Sequence, residues 1–197
     1  MTIIIIDTGC SNLSSLKWSL YRLGYTSKIT TNEDDIINAK KIFIPGVGSA
    51  KTAMNQLKRY HLHKVIPLCK QPVLGICLGM QLLSEFSLEG GRINCLKIID
   101  CHVQPFIKKS NVIPHMGWNN ITVMKNKFIF RNINMHDQFY FVHSYIIPLV
   151  KYTIASTDYS EQFSSVICFK NFYGVQFHPE KSGFVGETLL KNFLEME

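Results

Sequence analysis

The sequence predicts an α/β fold: an open, mostly parallel sheet flanked by helices, with an antiparallel extension in its second half. Three observations carry this. Short β-branched runs alternate with helical patterns in the first half, an apolar run turns sharply into a helix between two glycines at 75–79, and beyond about residue 90 only short strand-like stretches remain.

The elements follow in order. Residues 3–6, four isoleucines, read as a strand buried on both faces, as parallel strands are. Leu13, Leu16, Leu20 and Leu23 recur at helical spacing, and residues 25–29 and 42–44 read as further strands. Asn32 followed by Glu33, Asp34 and Asp35 is a helix start, a capping side chain ahead of acids that complement the positive helix end. Residues 72–76 form a central strand. Short strands are expected at 121–124, 139–142, 153–155 and 166–169, then a closing helix over 183–196 with Leu189, Leu190, Phe193 and Leu194 on its apolar face. No linker rich in Pro, Gly or Ser divides the chain, so residues 1–197 are expected to form one domain.

Hydrophobic residues make up 46% of the chain and charged residues 18%, which excludes a disordered protein. The net charge of +7 would favour nucleic acid if it were clustered. It is scattered, and the densest pairs, Lys40-Lys41 and Lys108-Lys109, lack interleaved aromatics, so a solvated surface or an acidic partner fits better. The six cysteines, Cys10, Cys69, Cys77, Cys95, Cys101 and Cys168, show no C-x-x-C pair and are expected as reduced thiols. His61 and His63, two apart on a helical stretch, diverge and make a poor metal pair, and His102 and His136 have no ligand pattern around them. The opening apolar run is too short for a signal-peptide core and no other is long enough to cross a membrane, so a cytoplasmic protein is expected.

Two runs carry the chemistry. In PVLGICLGMQLL, residues 72–83, Cys77 stands between Gly75 and Gly79 where strand becomes helix, the arrangement of a nucleophile elbow. The following helix presents unpaired amides and the positive end of its dipole, which favour thiolate over thiol. A lone buried cysteine is more often inert. A hundred residues on, YGVQFHPEKS at 173–182 supplies the base that a thiol nucleophile requires. His178 follows an apolar strand, and Pro179 holds the chain extended, so that Glu180, two residues on, points the same way and orients the imidazole. Nucleophile, base and orienting acid in the order Cys77, His178, Glu180 are a catalytic triad in thiol form.

Attack by Cys77 on an amide creates an oxyanion that needs amide donors. Leu78, the residue after the nucleophile, supplies one. The turn Pro45-Gly46-Val47-Gly48 after strand 42–44 is suited to supply the second, because glycine lets backbone approach a ligand.

With these runs in view, the chain closely resembles the glutaminase subunits of imidazole glycerol phosphate synthases. GICLGMQ at 75–81 and FHPE at 177–180 resemble class I glutamine amidotransferases generally; PGVG at 45–48, PHMGWN at 114–119 and YFVHSY at 140–145 resemble this branch, and the likeness runs from end to end. The resemblance implies hydrolysis of glutamine to glutamate and ammonia by Cys77 and His178, with glutamine held by Gln81, Glu89 and backbone around His143 and Ser144. It implies that PGVG is a mobile oxyanion strand. It implies as partner a (β/α)8 cyclase subunit that consumes the ammonia, with His115, Met116, Gly117, Trp118, Asn119 and Lys181 at the shared face, and it requires no metal or organic cofactor. The chain departs from the family at Ser87-Leu88-Glu89, where two adjacent acids are usual. Three other readings stay open on sequence alone: a glutaminase feeding another synthetase, a stand-alone cysteine hydrolase, and a scaffold carrying a relic triad.

Overall fold

The computed structural model describes residues 1–9, 13–107, 111–125 and 127–196; Cys10 and the Lys108-Lys109 pair lie outside them. The chain begins β1 (Ile3–Ile6), α1 (Leu13–Arg22), β2 (Ser27–Thr30), α2 (Glu33–Ile37), β3 (Lys41–Gly46), α3 (Ala50–Arg59), α4 (Leu62–Val65), β4 (Val73–Cys77) and α5 (Leu78–Leu82). Helix α1 ends where Gly24, at φ +86°, lets the Tyr25 amide turn back to the Leu20 carbonyl at 3.0 Å. The strand expected from residue 25 therefore starts at Ser27. Asn32 caps α2 as expected, its side chain accepting from the Asp35 amide at 3.0 Å.

The second half adds β5 (Phe86–Ser87), β6 (Ile93–Asn94), β7 (His102–Pro105), β8 (His115–Asn120), β9 (Thr122–Val123), β10 (Gln138–His143), β11 (Tyr145–Ile146), β12 (Thr153–Asp158), β13 (Gln162–Phe169), β14 (Phe172–Val175) and α6 (Gly183–Glu195). One eight-stranded sheet has the order β2-β1-β3-β4-β14-β13-β12-β9. It is parallel from β2 through β14 and antiparallel from β14 onward, so the mostly parallel sheet and its extension are both present. The expected strand at 139–142 is not part of that extension. It lies in β10, which pairs with β8 in a separate antiparallel ribbon, while β11-β7-β5-β6 form a small sheet of their own. The ribbon is held by one aromatic face: Phe139 stacks on Phe177 with centroids 4.0 Å apart, and Phe141 meets the same ring edge-on at 5.6 Å.

The isoleucine run shows why the sheet is covered on both sides. Ile4 and Ile6 join Ile42, Ile44, Met54 and Leu57 beneath α3, whereas Ile3 and Ile5 join Phe43, Leu74, Leu20 and Phe193 beneath α1 and α6. Successive side chains of a strand point to opposite faces, and here both faces are core. Each such burial contributes about 1.5–3 kcal/mol. Strands β3, β4 and β14 are adjacent and parallel, so Gly46, Cys77 and the segment leading to His178 emerge at one edge, the carboxyl ends where open α/β sheets hold their ligands.

Candidate active site

Cys77 is the last residue of β4 and adopts φ +53°, ψ −110°, a strained conformation for a residue with a side chain. Close packing forces the turn. A Cβ on Gly79 would lie 1.6 Å from the Ile44 carbonyl oxygen, and one on Gly75 would lie 2.5 Å from that of Gly79. Strand and helix approach so closely that only glycine fits on either side of the cysteine. The helix itself is short, five residues, so it aligns few peptides at the sulfur.

His178 follows β14, and its Nδ1 lies 2.8 Å from Glu180 Oε1, with side chains only 3% and 7% exposed. The pair meets differently from expectation. Pro179–Lys181 form a 3₁₀ turn, not an extended run, and Pro179 stands where a helix start needs no N–H. The His178 backbone is clamped on both sides. Its amide donates to the Tyr140 carbonyl at 2.9 Å, and its carbonyl accepts from Ser182 Oγ at 2.6 Å. Ser182 Oγ in turn accepts from the Tyr140 amide at 3.0 Å.

Burial of the His178 ring opposes its charge, but the Cys77 sulfur and the Glu180 carboxylate outweigh it and push its pKa up to about 10. Nε2 is buried and meets no partner at full hydrogen-bonding geometry among the described residues, yet it couples to the Cys77 sulfur by charge and by a weak hydrogen bond across the cleft. Such a gap is ordinary in an unliganded acid–base site.

The cleft at this edge has a volume of about 410 Å³ and is lined by Cys77, His178, Leu78, Gln81, Glu89 and Ser144 among others. Val47 and Gly48 lie at its wall, Gly48 at φ +90°. Pro45 and Gly46 do not belong to that loop: both continue β3, with Gly46 paired to Cys77, where an added Cβ would lie 3.0 Å from the Leu78 side chain. Glu89 Oε2 accepts from the Ala50 amide at 2.8 Å, which ties it to the first turn of α3.

His143 enters through its side chain as well as its backbone. The ring is 7% exposed, its Nδ1 lies 3.0 Å from the Tyr145 carbonyl and its Nε2 lies 3.0 Å from His115 Nδ1. A carbonyl only accepts, so His143 Nδ1 carries the proton, His143 Nε2 accepts, and His115 Nδ1 donates. His115 Nε2 is left to accept from Asn119 Nδ2 at 3.4 Å. Burial pushes His115 down to about 4; burial, with the nearby His115 and His178, pushes His143 down to about 3. His115, 2% exposed, is therefore not on the surface expected of it but beneath it.

Its strand neighbours do face outward. Met116 is 62% and Trp118 54% exposed, Gly117 stands between them at φ +136°, and Asn119 is half-buried with Nδ2 donating to the Asp158 carbonyl at 3.1 Å. Trp118 lies opposite Tyr140 across the ribbon with ring centroids 6.0 Å apart, and the exposed Lys181 sits in the turn that Tyr140 clamps. Sequence reasoning missed one residue. Gln176, fully buried between β14 and His178, donates from Nε2 to Cys77 Sγ at 3.6 Å; its position two residues ahead of the histidine was the available signal.

The profile described as "Glutamine amidotransferase class-I" matches residues 4–196 of the chain. The chain belongs to the class-I glutamine amidotransferase family. Among its relatives are proteins named "Imidazole glycerol phosphate synthase subunit HisH" from Blochmanniella floridana, 55% identical, and Pectobacterium atrosepticum, 49% identical, each alignment covering 100% of both chains. The fold is matched by a glutamine amidotransferase from Thermotoga maritima, TM-score 0.70 at 12% identity over 100% of this chain and 99% of that one. It is also matched by the glutaminase domain of a Trypanosoma brucei CTPS, TM-score 0.65 at 16% identity over 100% and 95% of the two chains. Among the described residues no group of three His, Cys, Asp or Glu is placed to hold a metal, and no helix is long and apolar enough to cross a membrane.

Proposed function

We propose that this chain is the glutaminase subunit of an imidazole glycerol phosphate synthase acting in histidine biosynthesis, hydrolysing L-glutamine and passing ammonia to a (β/α)8 cyclase subunit. The observation that carries the reading is the His178–Glu180 contact of 2.8 Å in the same cleft as the elbow cysteine. The HisH name of relatives about half identical over their whole length supports the choice of branch. The five described cysteines are all free thiols, which agrees with a reducing cytoplasm.

In this mechanism the proton of the Cys77–His178 pair rests on His178 Nε2, whose raised pKa keeps it there, and the Cys77 thiolate attacks the glutamine side-chain carbonyl. The resulting oxyanion takes hydrogen bonds from the Leu78 amide and from a peptide of the segment Gly46, Val47, Gly48. Imidazolium returns the proton to the departing nitrogen, which leaves as ammonia and generates the glutamyl thioester. Water, deprotonated by His178, then attacks the thioester, releasing glutamate and restoring the thiol. Glu180 keeps Nδ1 protonated and aimed, and stabilises the charge the ring carries in between.

Gln81 and Glu89 face the substrate, with backbone around His143 and Ser144 closing on it. Gln81 has both Nε2 hydrogens engaged, to the Tyr145 carbonyl at 3.1 Å and Gln176 Oε1 at 2.9 Å, so Oε1 is what it offers. The exposed apolar side chains Met116 and Trp118 suit a protein interface, where aromatic anchors within a polar rim are common, and the exposed Lys181 belongs to that rim in this reading. His115 is buried beneath that strand and Asn119 ties it to the Asp158 carbonyl, with Gly117 between the two exposed side chains.

The test is glutamine hydrolysis and cyclised product measured with the cyclase subunit present. Cys77→Ala is expected to abolish glutamine use while the complex still forms product from added ammonium salt. Loss of both, or rapid hydrolysis of peptide or ester substrates without a partner, would overturn the assignment.

A further inference from the structure

Three buried polar side chains and one carbonyl form a continuous array ending on the nucleophile. His143 Nδ1 and Gln81 Nε2 both donate to the Tyr145 carbonyl, at 3.0 and 3.1 Å. The second hydrogen of Gln81 Nε2 goes to Gln176 Oε1 at 2.9 Å, and Gln176 Nε2 donates to Cys77 Sγ at 3.6 Å. The direction of every bond follows from one fact. A backbone carbonyl cannot donate, so the nitrogen of Gln81 must face it; that nitrogen then requires the oxygen of Gln176, which leaves the Gln176 nitrogen on the sulfur. Gln176 is fully buried, so no water competes for the contact.

We propose that Gln176 is a further catalytic residue, whose carboxamide N–H hydrogen-bonds the Cys77 sulfur and stabilises it as a thiolate, oriented through Gln81 by the Tyr145 carbonyl. This rests on Cys77 being the nucleophile. In the thiol form the S–H donates to the Val142 carbonyl at 3.9 Å. On ionisation the proton passes to His178 Nε2, the Val142 contact is lost, and the Gln176 N–H faces full negative charge, where a hydrogen bond is strongest. The other titratable groups facing this space are His178 with Glu180 behind it, Glu89 and Tyr145 in the cleft wall, and the neutral His143–His115 pair. Of these, His178 couples to the sulfur as its charged partner, and Gln176 is the uncharged donor that reaches it.

The contact also explains why an uncharged residue stands there. A lysine would place a permanent cation beside His178 and disfavour its imidazolium, whereas an amide supports the thiolate and leaves the histidine's charge alone.

The experiment follows the rate of Cys77 alkylation by iodoacetamide against pH, read on the Cys77 peptide by mass spectrometry, in the intact chain and in Gln176→Met, which keeps volume and removes the donor. The midpoint is expected to rise by about one pH unit, so that at any pH below the midpoint alkylation slows roughly tenfold. An unmoved midpoint in a folded Gln176→Met chain overturns the proposal, because a merely structural role would lower stability and leave ionisation in place. Should that variant not fold, the unmutated chain labelled with ¹⁵N answers the question: a Gln176 side-chain N–H resonance should move as pH crosses the midpoint and stay still in Cys77→Ala. A flat response overturns the proposal equally. Glutamine turnover by the unmutated complex is measured separately, so failure of the glutaminase reading and failure of the Gln176 contact give different results.

Discussion

His115 Nδ1 lies 3.0 Å from His143 Nε2, with both rings buried and each held in one neutral tautomer. Their folded pKa values of about 4 and about 3 lie below the ordinary 6.5, so the unfolded chain binds protons that the folded chain refuses. The stability this represents is fully present above pH 6.5 and is lost as pH falls towards 4 and 3. Each histidine removes up to about 1.4 kcal/mol per pH unit in that window. Melting followed by circular dichroism is expected to drop on the order of 10 °C between pH 7 and pH 5. His115→Asn, which cannot protonate there, should reduce the slope; an identical profile in the variant would show that the acid sensitivity comes from elsewhere.

The charge on His178 has identified sources, and removing one has a definite sign. Without the Cys77 sulfur, Cys77→Ala leaves the buried ring with Glu180 alone to support its proton, so the pKa of about 10 must fall. Titration of the His178 ring by NMR reads this directly. No downward shift in the variant would mean that sulfur and imidazole do not interact.

Glu180→Gln retains an oxygen near Nδ1 but not the charge. Glutamine hydrolysis by the complex is expected to fall by roughly 10²- to 10⁴-fold, with residual turnover because the nucleophile and the oxyanion donors remain. Wild-type turnover in this variant would remove Glu180 from the machinery.

The elbow glycines act through backbone clearance. Gly79→Ala would set a methyl group against the Ile44 carbonyl, where 1.6 Å is available, and the neighbour is main chain that cannot swing away. The loss of stability should be about 3 kcal/mol or more. Urea denaturation checks it; a midpoint close to wild type would mean that β3 and α5 are not so closely packed.

Trp118 is more than half exposed, so Trp118→Ala should shift the melting temperature of the isolated chain very little, within about 0.5 kcal/mol. If its face receives the cyclase subunit, affinity for that subunit should fall by about tenfold or more, as loss of an interface anchor does. Unchanged affinity in a titration would move the interface elsewhere.

Much of this was readable from local chemistry. Four consecutive isoleucines can only be buried on both faces; glycine on both sides of a cysteine at a strand end specifies an elbow; and His-Pro-Glu brings base and acid within one turn whether that turn is extended or 3₁₀. Such features depend on neighbours in the chain, and their physics is local. Tertiary structure alone decided that β10 leaves the main sheet for a ribbon with β8, because the choice rests on Phe139 and Phe141 meeting Phe177. It alone buried His115 under the face that Met116 and Trp118 present, and it alone turned Gln176 onto a sulfur 99 residues away in sequence. A hydrogen bond between side chains that distant needs β4 and β14 paired in register, and register is a property of the assembled sheet.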